Sequence, residues 1–243
     1  KYEYGGGAEV HDPGVHDYVA AAGTSLTPSG FEEGVKAREA AHYAEAEPIL
    51  TQALREAEQS GATDARVALA ANHLGLLYHD QGRLTEAESF YLRALDIWEA
   101  QLGPEHEDVA AALNNLAEIA HAKGEWTAAE SLYERVLKIE RKTLGPAHPD
   151  VAISLNNLAE LYRKQERETA AESTYQLALT LMAQAHGPEH VELGPVLNNL
   201  AALYKHRGLY AWAEPFYERA LKVRQLRFGR EHPAVVMSLN NIA

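Results

Sequence analysis

The feature that most constrains this chain is a five-residue string that returns at a step of 42 residues. Each copy reads leucine, two asparagines, leucine or isoleucine, and alanine. A fixed step of about 20 to 50 residues, kept by apolar positions, is typical of proteins built from stacked repeats. The copies occupy residues 113–117, 155–159, 197–201 and 239–243.

Other residues keep the same step, so the repeat is a whole structural unit rather than one copied string. Glycine, histidine and tyrosine each return at a fixed place within the unit. They are Gly61, Gly103, Gly145, Gly187 and Gly229; His106, His148, His190 and His232; and Tyr91, Tyr133, Tyr175 and Tyr217.

Each unit is predicted to contain two helices. In the unit after Gly145, proline at the first helical position and Asp150 near the positive end of the helix dipole favour a helix over residues 149–164. A second apolar stripe predicts another helix over residues 168–185, which Gly187 and Pro188 end. Glu166 replaces the glycine of the other intra-unit turns, so this turn is expected to be the loosest. Pro195 lies inside the next first helix, which should start late or bend.

Two patterns carry a family resemblance. Leu-x-x-Leu-Ala-x-x-Tyr in the first predicted helix and Ala-Glu-x-x-Tyr-x-x-Ala-Leu in the second resemble the tetratricopeptide repeat. The 42-residue step, the asparagine string and the linker Leu-Gly-Pro-x-His-Pro-Asp-Val at residues 144–151 resemble kinesin light chains and their bacterial relatives. The resemblance implies an all-α fold: a right-handed α-solenoid of antiparallel helix pairs, whose first helices line a concave groove for an extended peptide or a partner helix.

The resemblance covers most of the chain and predicts its organisation. Residues 1–30, rich in glycine and proline, are expected to be a lead-in or linker, and residues 31–243 the repeat array. The array ends within a unit, so we expect a fragment of a longer protein. Its expected parts are a degenerate repeat at 31–61, full repeats near 63–103, 105–145, 147–187 and 189–229, and an incomplete repeat at 231–243.

The resemblance also implies the binding residues. In that family the second asparagine of each pair points into the groove and pairs with the backbone of a ligand, and an amide can both donate and accept hydrogen bonds. In the alternative interpretation, one asparagine of each pair ties neighbouring helices or loops together. The second-position residues are Asn115, Asn157, Asn199 and Asn241, and the first-position residues are Asn114, Asn156 and Asn198.

Charged residues at other inward positions are not uniform. Asp80 and Glu118 belong to the front of the expected groove, and His121 lies there too, whereas the rear is basic. An acidic or carboxy-terminal end of a ligand should therefore face the rear. The alternative is an ordinary solvated face of mixed charge. The basic rear positions are Arg163, Lys164, Lys205 and His206.

Composition and motifs exclude several classes of function. The net charge of −13 argues against nucleic acid as the main partner. No apolar run approaches the roughly 20 residues that span a bilayer, and no signal segment is visible, so we expect a cytoplasmic location and no membrane partner. No phosphate loop, nucleophile elbow or metalloprotease motif occurs. Polar residues spread in equal steps do not converge on one bond, so we expect neither an enzyme nor a cofactor.

The linker histidines raise the question of a metal site. Successive repeats place them on the order of 10 Å or more apart, too far to share one ion. They are expected to cap helix starts instead. His186 and His190 share one loop, but the sequence shows no third ligand beside them, so we predict no metal site.

These observations predict a non-catalytic scaffold for protein–protein interaction, with a peptide or partner helix in the concave groove. Two alternatives stay open. The chain is the regulatory or substrate-recruiting arm of a larger enzyme, such as a protease or signalling ATPase, or it forms homo-oligomers through the exposed apolar surface of its last helix.

Overall fold

The structure, a computed structural model, describes residues 30–59, 61 and 63–229. Ten α-helices and no strand occur in this part of the chain, which confirms the predicted all-α class. The expected lead-in segment and incomplete last repeat lie outside it, apart from Gly30. The helices are α1 (Phe31–Glu39), α2 (Tyr43–Gln59), α3 (Ala65–Asp80), α4 (Leu84–Leu102), α5 (Glu107–Lys123), α6 (Trp126–Thr143), α7 (Pro149–Lys164), α8 (Glu168–His186), α9 (Leu193–His206) and α10 (Tyr210–Phe228).

The helices fall into two compact units. The first contains α1 to α5 and α6 as far as residue 139, and the second contains the end of α6 and α7 to α10. Within the units α1 packs on α2, α3 on α4, α7 on α8, and α9 on α10. Because the connections inside these pairs are only a few residues long, the paired helices are antiparallel neighbours.

The repeating tyrosines lie in the core, as their position in the second helix predicts. Tyr91, Tyr133 and Tyr175 are fully buried, and Tyr217 is nearly so. Burial of such a large ring removes apolar surface from water and so stabilises each helix pair. No helix in the described residues is both long and apolar enough to cross a bilayer.

Histidines begin two of the first helices, as predicted. His106 Nδ1 accepts a hydrogen bond from the backbone N–H of Asp108, and His148 Nδ1 accepts one from Asp150, each at 3.3 Å. These bonds satisfy N–H groups that have no partner within the helix. The linker histidine is therefore a structural feature of the repeat.

The start of α9 differs from that of the other first helices. The helix begins at Leu193, whereas α7 begins at Pro149, whose counterpart one step later is Val191. Proline at position 195 is tolerated here because it stands in the first turn, where its missing N–H has no helical partner. The predicted late start is confirmed, and α9 begins without a side-chain cap from its N-cap residue, Glu192.

The turn between α7 and α8 holds Glu166 in the left-handed region, at φ 60°. The corresponding turns place glycine there, with φ between 71° and 76° at Gly82, Gly124 and Gly208. A side chain in this conformation crowds its own backbone, at a cost of about 1 kcal/mol.

Replacing Glu166 with glycine should therefore stabilise the second unit by about 1 kcal/mol. Thermal melting followed by circular dichroism measures the change. Gln165→Gly is the matched control, because Gln165 has an ordinary φ of −81° and gains nothing from glycine. A melting temperature that stays the same or falls in Glu166→Gly would contradict the assignment of strain to this residue.

Candidate functional site

Asparagine side chains join the first helices of neighbouring repeats. In the first unit, Asn115 Nδ2 on α5 donates to Asn72 Oδ1 on α3 at 3.1 Å. In the second unit, Asn199 Nδ2 on α9 donates to Asn156 Oδ1 on α7 at 3.0 Å. Each bond runs from the second asparagine of one repeat to the first position of the pair in the repeat before it. We call these bonds the asparagine ladder.

The ladder is buried. Asn72 and Asn115 are 0% and 1% exposed, and Asn156 and Asn199 are 7% and 9% exposed. Buried amides need partners, because an unpaired one loses its bonds to water without replacement. The ladder is therefore the tie between neighbouring helices that the sequence analysis kept as its alternative, while contact of these amides with a ligand stays a prediction.

First-position asparagines have a second kind of contact. Asn114 Nδ2 donates to Glu118 Oε1, one helical turn later, at 3.4 Å. Asn156 is the ladder acceptor already described, and Asn198 is half-buried on α9. Asn241 lies outside the described residues. Of the predicted asparagines, Asn115, Asn156 and Asn199 take part in the ladder, and Asn114 bonds within its own helix.

The other predicted site residues lie near the C-terminal ends of the first helices. His121 is half-buried and its ring lies 5.6 Å from the ring of Trp126, centroid to centroid. On α7, half-buried Arg163 donates through Nε to Glu160 Oε2 at 2.8 Å, whereas Lys164 is exposed. On α9, Lys205 and His206 are both exposed.

Several of these basic side chains already have partners. Arg163 shares its partner, the Glu160 carboxylate, with Tyr175. Tyr175 Oη donates to the same Glu160 carboxylate at 2.7 Å, and burial raises the pKa of Tyr175. Lys205 Nζ lies 5.9 Å from the centre of the Tyr217 ring, within cation–π range. His206 Nδ1 lies 3.5 Å from Glu168 Oε1. Lys164 makes no hydrogen bond or ion pair with any residue that the structure describes.

Of the two acidic inward positions, Glu118 is less accessible than the sequence suggested. Asp80 is exposed and pairs with Arg38 at 3.5 Å. Glu118, expected to face the groove, is only 7% exposed. Burial raises the pKa of Glu118 to about 8, although the Asn114 amide opposes this shift. Near pH 7 its carboxyl is therefore largely protonated and contributes little negative charge.

Another buried carboxyl, which the sequence analysis missed, lies at the end of α6. Ser154 Oγ on α7 donates to Glu140 Oε1 at 2.9 Å, and Glu140 Oε2 has no hydrogen-bond partner within the described part of the chain. Burial raises the pKa of Glu140 to about 8, opposed by the serine bond. Position 140 has no distinctive signal in the sequence, because glutamate near the end of a helix is usually solvated.

The second unit contains a cleft of about 280 Å³ between α7, α8 and the start of α9. Its walls combine apolar side chains with the amides of two pair asparagines, Asn156 and Asn157. His186 and Glu192 stand on its wall where α8 ends and α9 begins. The cleft brings ladder residues and loop residues together, which sequence spacing alone did not predict.

Solved structures with a similar fold come from kinesin light chain-like proteins. The crystal structure of BtubC (BKLC) from P. vanneervenii matches with a TM-score of 0.70 and 28% identity, covering 82% of this chain and 80% of that one. Two crystal structures of a Podosopora anserina putative kinesin light chain with nearly identical TPR-like repeats match with TM-scores of 0.69 and 0.67, each at 22% identity. They cover 94% and 95% of those chains and 82% of this one.

No curated protein sequence matches the chain. The family model named Tetratricopeptide repeat matches in five overlapping stretches, at residues 37–100, 66–142, 108–184, 150–225 and 192–243. These stretches extend over most of the sequence and follow its 42-residue step. Together with the helix pairs and the structural matches, they show that this α-solenoid chain belongs to the tetratricopeptide repeat family.

Proposed function

We propose that the chain is a non-catalytic scaffold that binds an extended peptide or a partner helix along its first helices. Tetratricopeptide repeat proteins generally mediate protein–protein interactions, and this chain has the fold of that family.

The observation that supports the proposal most is the basic group on the second unit. Arg163 and Lys164 end α7, and Lys205 and His206 end α9 one repeat later. Arg163, Lys164 and Lys205 stand out because the whole chain has a net charge of −13. A local positive group on an acidic protein selects the part of a ligand that carries negative charge.

Of this group, Lys164 and Lys205 fit the binding role best. Both are exposed, and a lysine ammonium can donate three hydrogen bonds. Arg163 is bound to Glu160, which leaves it fewer donors for a ligand. We therefore propose that Lys164 and Lys205 receive the acidic or carboxy-terminal end of the ligand.

The ladder asparagines have a supporting part in this proposal. Because their amide groups bond to one another, they hold α7 and α9 at a fixed spacing. A rigid surface loses less conformational freedom when it binds, and this raises affinity. Direct pairing of Asn157 or Asn199 with a ligand backbone would add to the charge contacts.

Selection from a phage library of random 15-residue peptides tests the proposal. The bait is the 243-residue protein. Selected peptides should be enriched in aspartate and glutamate at one end. Their affinity, measured by fluorescence polarisation with the synthetic peptides, should fall about tenfold or more in Lys164→Glu/Lys205→Glu, because two attractive contacts become repulsive.

Lys138→Glu is the matched control, because Lys138 is an exposed lysine on a second helix, α6. It changes the net charge in the same direction but should leave peptide affinity within about twofold. Circular dichroism confirms that each variant is folded. Failure to select any peptide, or equal affinity of the wild type and the double variant, would overturn the proposal.

A further inference from the structure

The loop between α8 and α9 brings three metal-ligating side chains together. His186 is the last residue of α8, His190 lies in the loop, and Glu192 precedes α9. One ligand atom from each lies within 4.8 Å of the other two. Sequence spacing places the two histidines in one loop without a third ligand, and the structure supplies Glu192.

Their mutual geometry is already close. His186 Nε2 lies 2.9 Å from Glu192 Oε2. The rings of His186 and His190 are stacked, with centroids 4.7 Å apart and an interplanar angle of 19°. Ligand atoms around a tetrahedral zinc ion are roughly 3.4 Å apart, given metal–ligand bonds of about 2.0–2.2 Å. Small side-chain rotations at this surface loop would bring all three atoms to that separation.

The neighbouring repeats show which part of this group is special. His190 and Glu192 correspond to His106 and Asp108, and also to His148 and Asp150. In those loops histidine Nδ1 lies 3.2 Å (His106) and 3.6 Å (His148) from the aspartate Oδ2. The same histidines cap α5 and α7. The pair alone is therefore an ordinary part of the repeat.

His186 is the addition that completes the group. Its counterparts one and two repeats earlier are Leu144 and Leu102, which cannot bind metal. Packing of the repeat does not call for an imidazole here, since leucine serves in both sibling loops. The loop of residues 186–192 is the one loop in the described residues with three ligands for one metal ion.

We infer that His186, His190 and Glu192 form a binding site for a divalent transition metal, of which zinc fits best. Two imidazoles and one carboxylate are ligands that zinc accepts, and three protein ligands leave a fourth coordination position. His186 and Glu192 also line the 280 Å³ cleft, whose wall includes Asn156 and Asn157, and we therefore place the fourth position next to that cleft. A carboxylate from a bound partner could occupy it.

The site would also stabilise the chain locally. Glu192 supplies no side-chain cap to α9, although His190 Nδ1 accepts a hydrogen bond from the backbone N–H of Glu192 at 3.4 Å. A metal bound by residues on both sides of the loop ties the end of α8 to the start of α9. Since the metal binds the folded form, saturating zinc should raise the melting temperature.

Zinc titration by isothermal calorimetry tests the site, using the 243-residue protein without a histidine tag. The wild-type protein should bind one zinc ion at the loop of residues 186–192. His186→Leu should bind about tenfold or more weakly, because it loses one of three ligands. This variant restores the residue of the sibling loops, so it should fold as well as the wild type, which circular dichroism checks.

Twelve histidines give background binding, so a control is needed. His148→Ala removes a linker histidine of a sibling loop and should leave zinc affinity unchanged. Cobalt(II) gives a second readout, with visible absorption bands of a tetrahedral site in wild type that are lost in His186→Leu. Equal zinc affinity of wild type and His186→Leu, or absence of binding up to millimolar zinc, would overturn the inference. Either result leaves the peptide proposal intact.

Discussion

Raising the pH from 5 to 8 should destabilise the folded chain, and Glu118→Gln or Glu140→Gln should each remove part of that loss. Burial raises the pKa of both carboxyls from 4.5 to about 8. A shift of this size corresponds to on the order of 5 kcal/mol for each group. Thermal melting followed by circular dichroism, repeated across this pH range, measures the effect.

The sign follows from proton binding. Below pH 4.5 each carboxyl is protonated in both the folded and the unfolded chain, so burial carries no ionisation cost. Between pH 4.5 and about 8 the unfolded chain releases a proton that the folded chain keeps. The free energy of unfolding therefore falls as the pH rises, and the loss is complete above about pH 8.

Glutamine keeps the size and the hydrogen-bonding groups of glutamate but cannot ionise. Each variant should therefore melt close to the wild type at pH 5 and clearly above it at pH 8. The higher melting temperature at pH 8 comes from removing a buried negative charge. Each carboxyl has one hydrogen-bond donor: Glu118 accepts from the Asn114 amide, and Glu140 accepts from the Ser154 hydroxyl. Neither bond offsets burial of the charged form.

Glu160→Gln is the matched control, since Glu160 occupies the position of Glu118 one repeat later. Its carboxylate binds Arg163 and Tyr175, so glutamine there breaks an ion pair and should lower the melting temperature at pH 8. The control and the test thus shift in opposite directions. Equal pH dependence of the wild type and both test variants would show that these carboxyls ionise without cost in the folded chain.

Features set by short-range rules could be predicted from the sequence. The left-handed turn at Glu166 follows from the glycines at the same place in other repeats, and the cap at His148 follows from its position before a proline and an aspartate. Both depend on residues close in the sequence. The same holds for the late start of α9, because Pro195 restricts the backbone around it.

Features that depend on contacts between repeats could not be predicted. The alternative interpretation had one asparagine of each pair tie neighbouring helices, but neither repeat alone identifies Asn72, 43 residues away, as the partner of Asn115. The burial of Glu118 likewise depends on neighbouring helices. Its counterpart Glu160 differs because Arg163, one turn later on the same helix, pairs with its carboxylate. Glu192 corresponds to the helix-start acids Asp108 and Asp150. Only the structure shows that it lies beside His186.

The second large effect is expected at the ladder. Asn115→Ala should lower the free energy of unfolding by about 1–3 kcal/mol, because it removes a buried hydrogen bond and leaves the Asn72 carbonyl oxygen without that donor. Asn198→Ala is the control: Asn198 is half-buried, and its Oδ1 has no partner among the described residues. Asn198→Ala should therefore lower the free energy of unfolding by less than Asn115→Ala does. Chemical denaturation measures both variants.

A double-mutant cycle with Asn72→Ala and Asn115→Ala isolates the bond itself. If the two amides stabilise the fold through each other, the double variant should be more stable than the sum of the single effects predicts, by about 0.5–1.5 kcal/mol. Additive effects would show that the amides act independently. The cycle bears on function, because an amide engaged with its neighbour shapes the binding surface through the spacing of the helices. In the second unit, where Asn199 bonds to Asn156, peptide affinity of Asn199→Ala should then fall together with stability, whereas Lys164→Glu/Lys205→Glu should lower affinity alone.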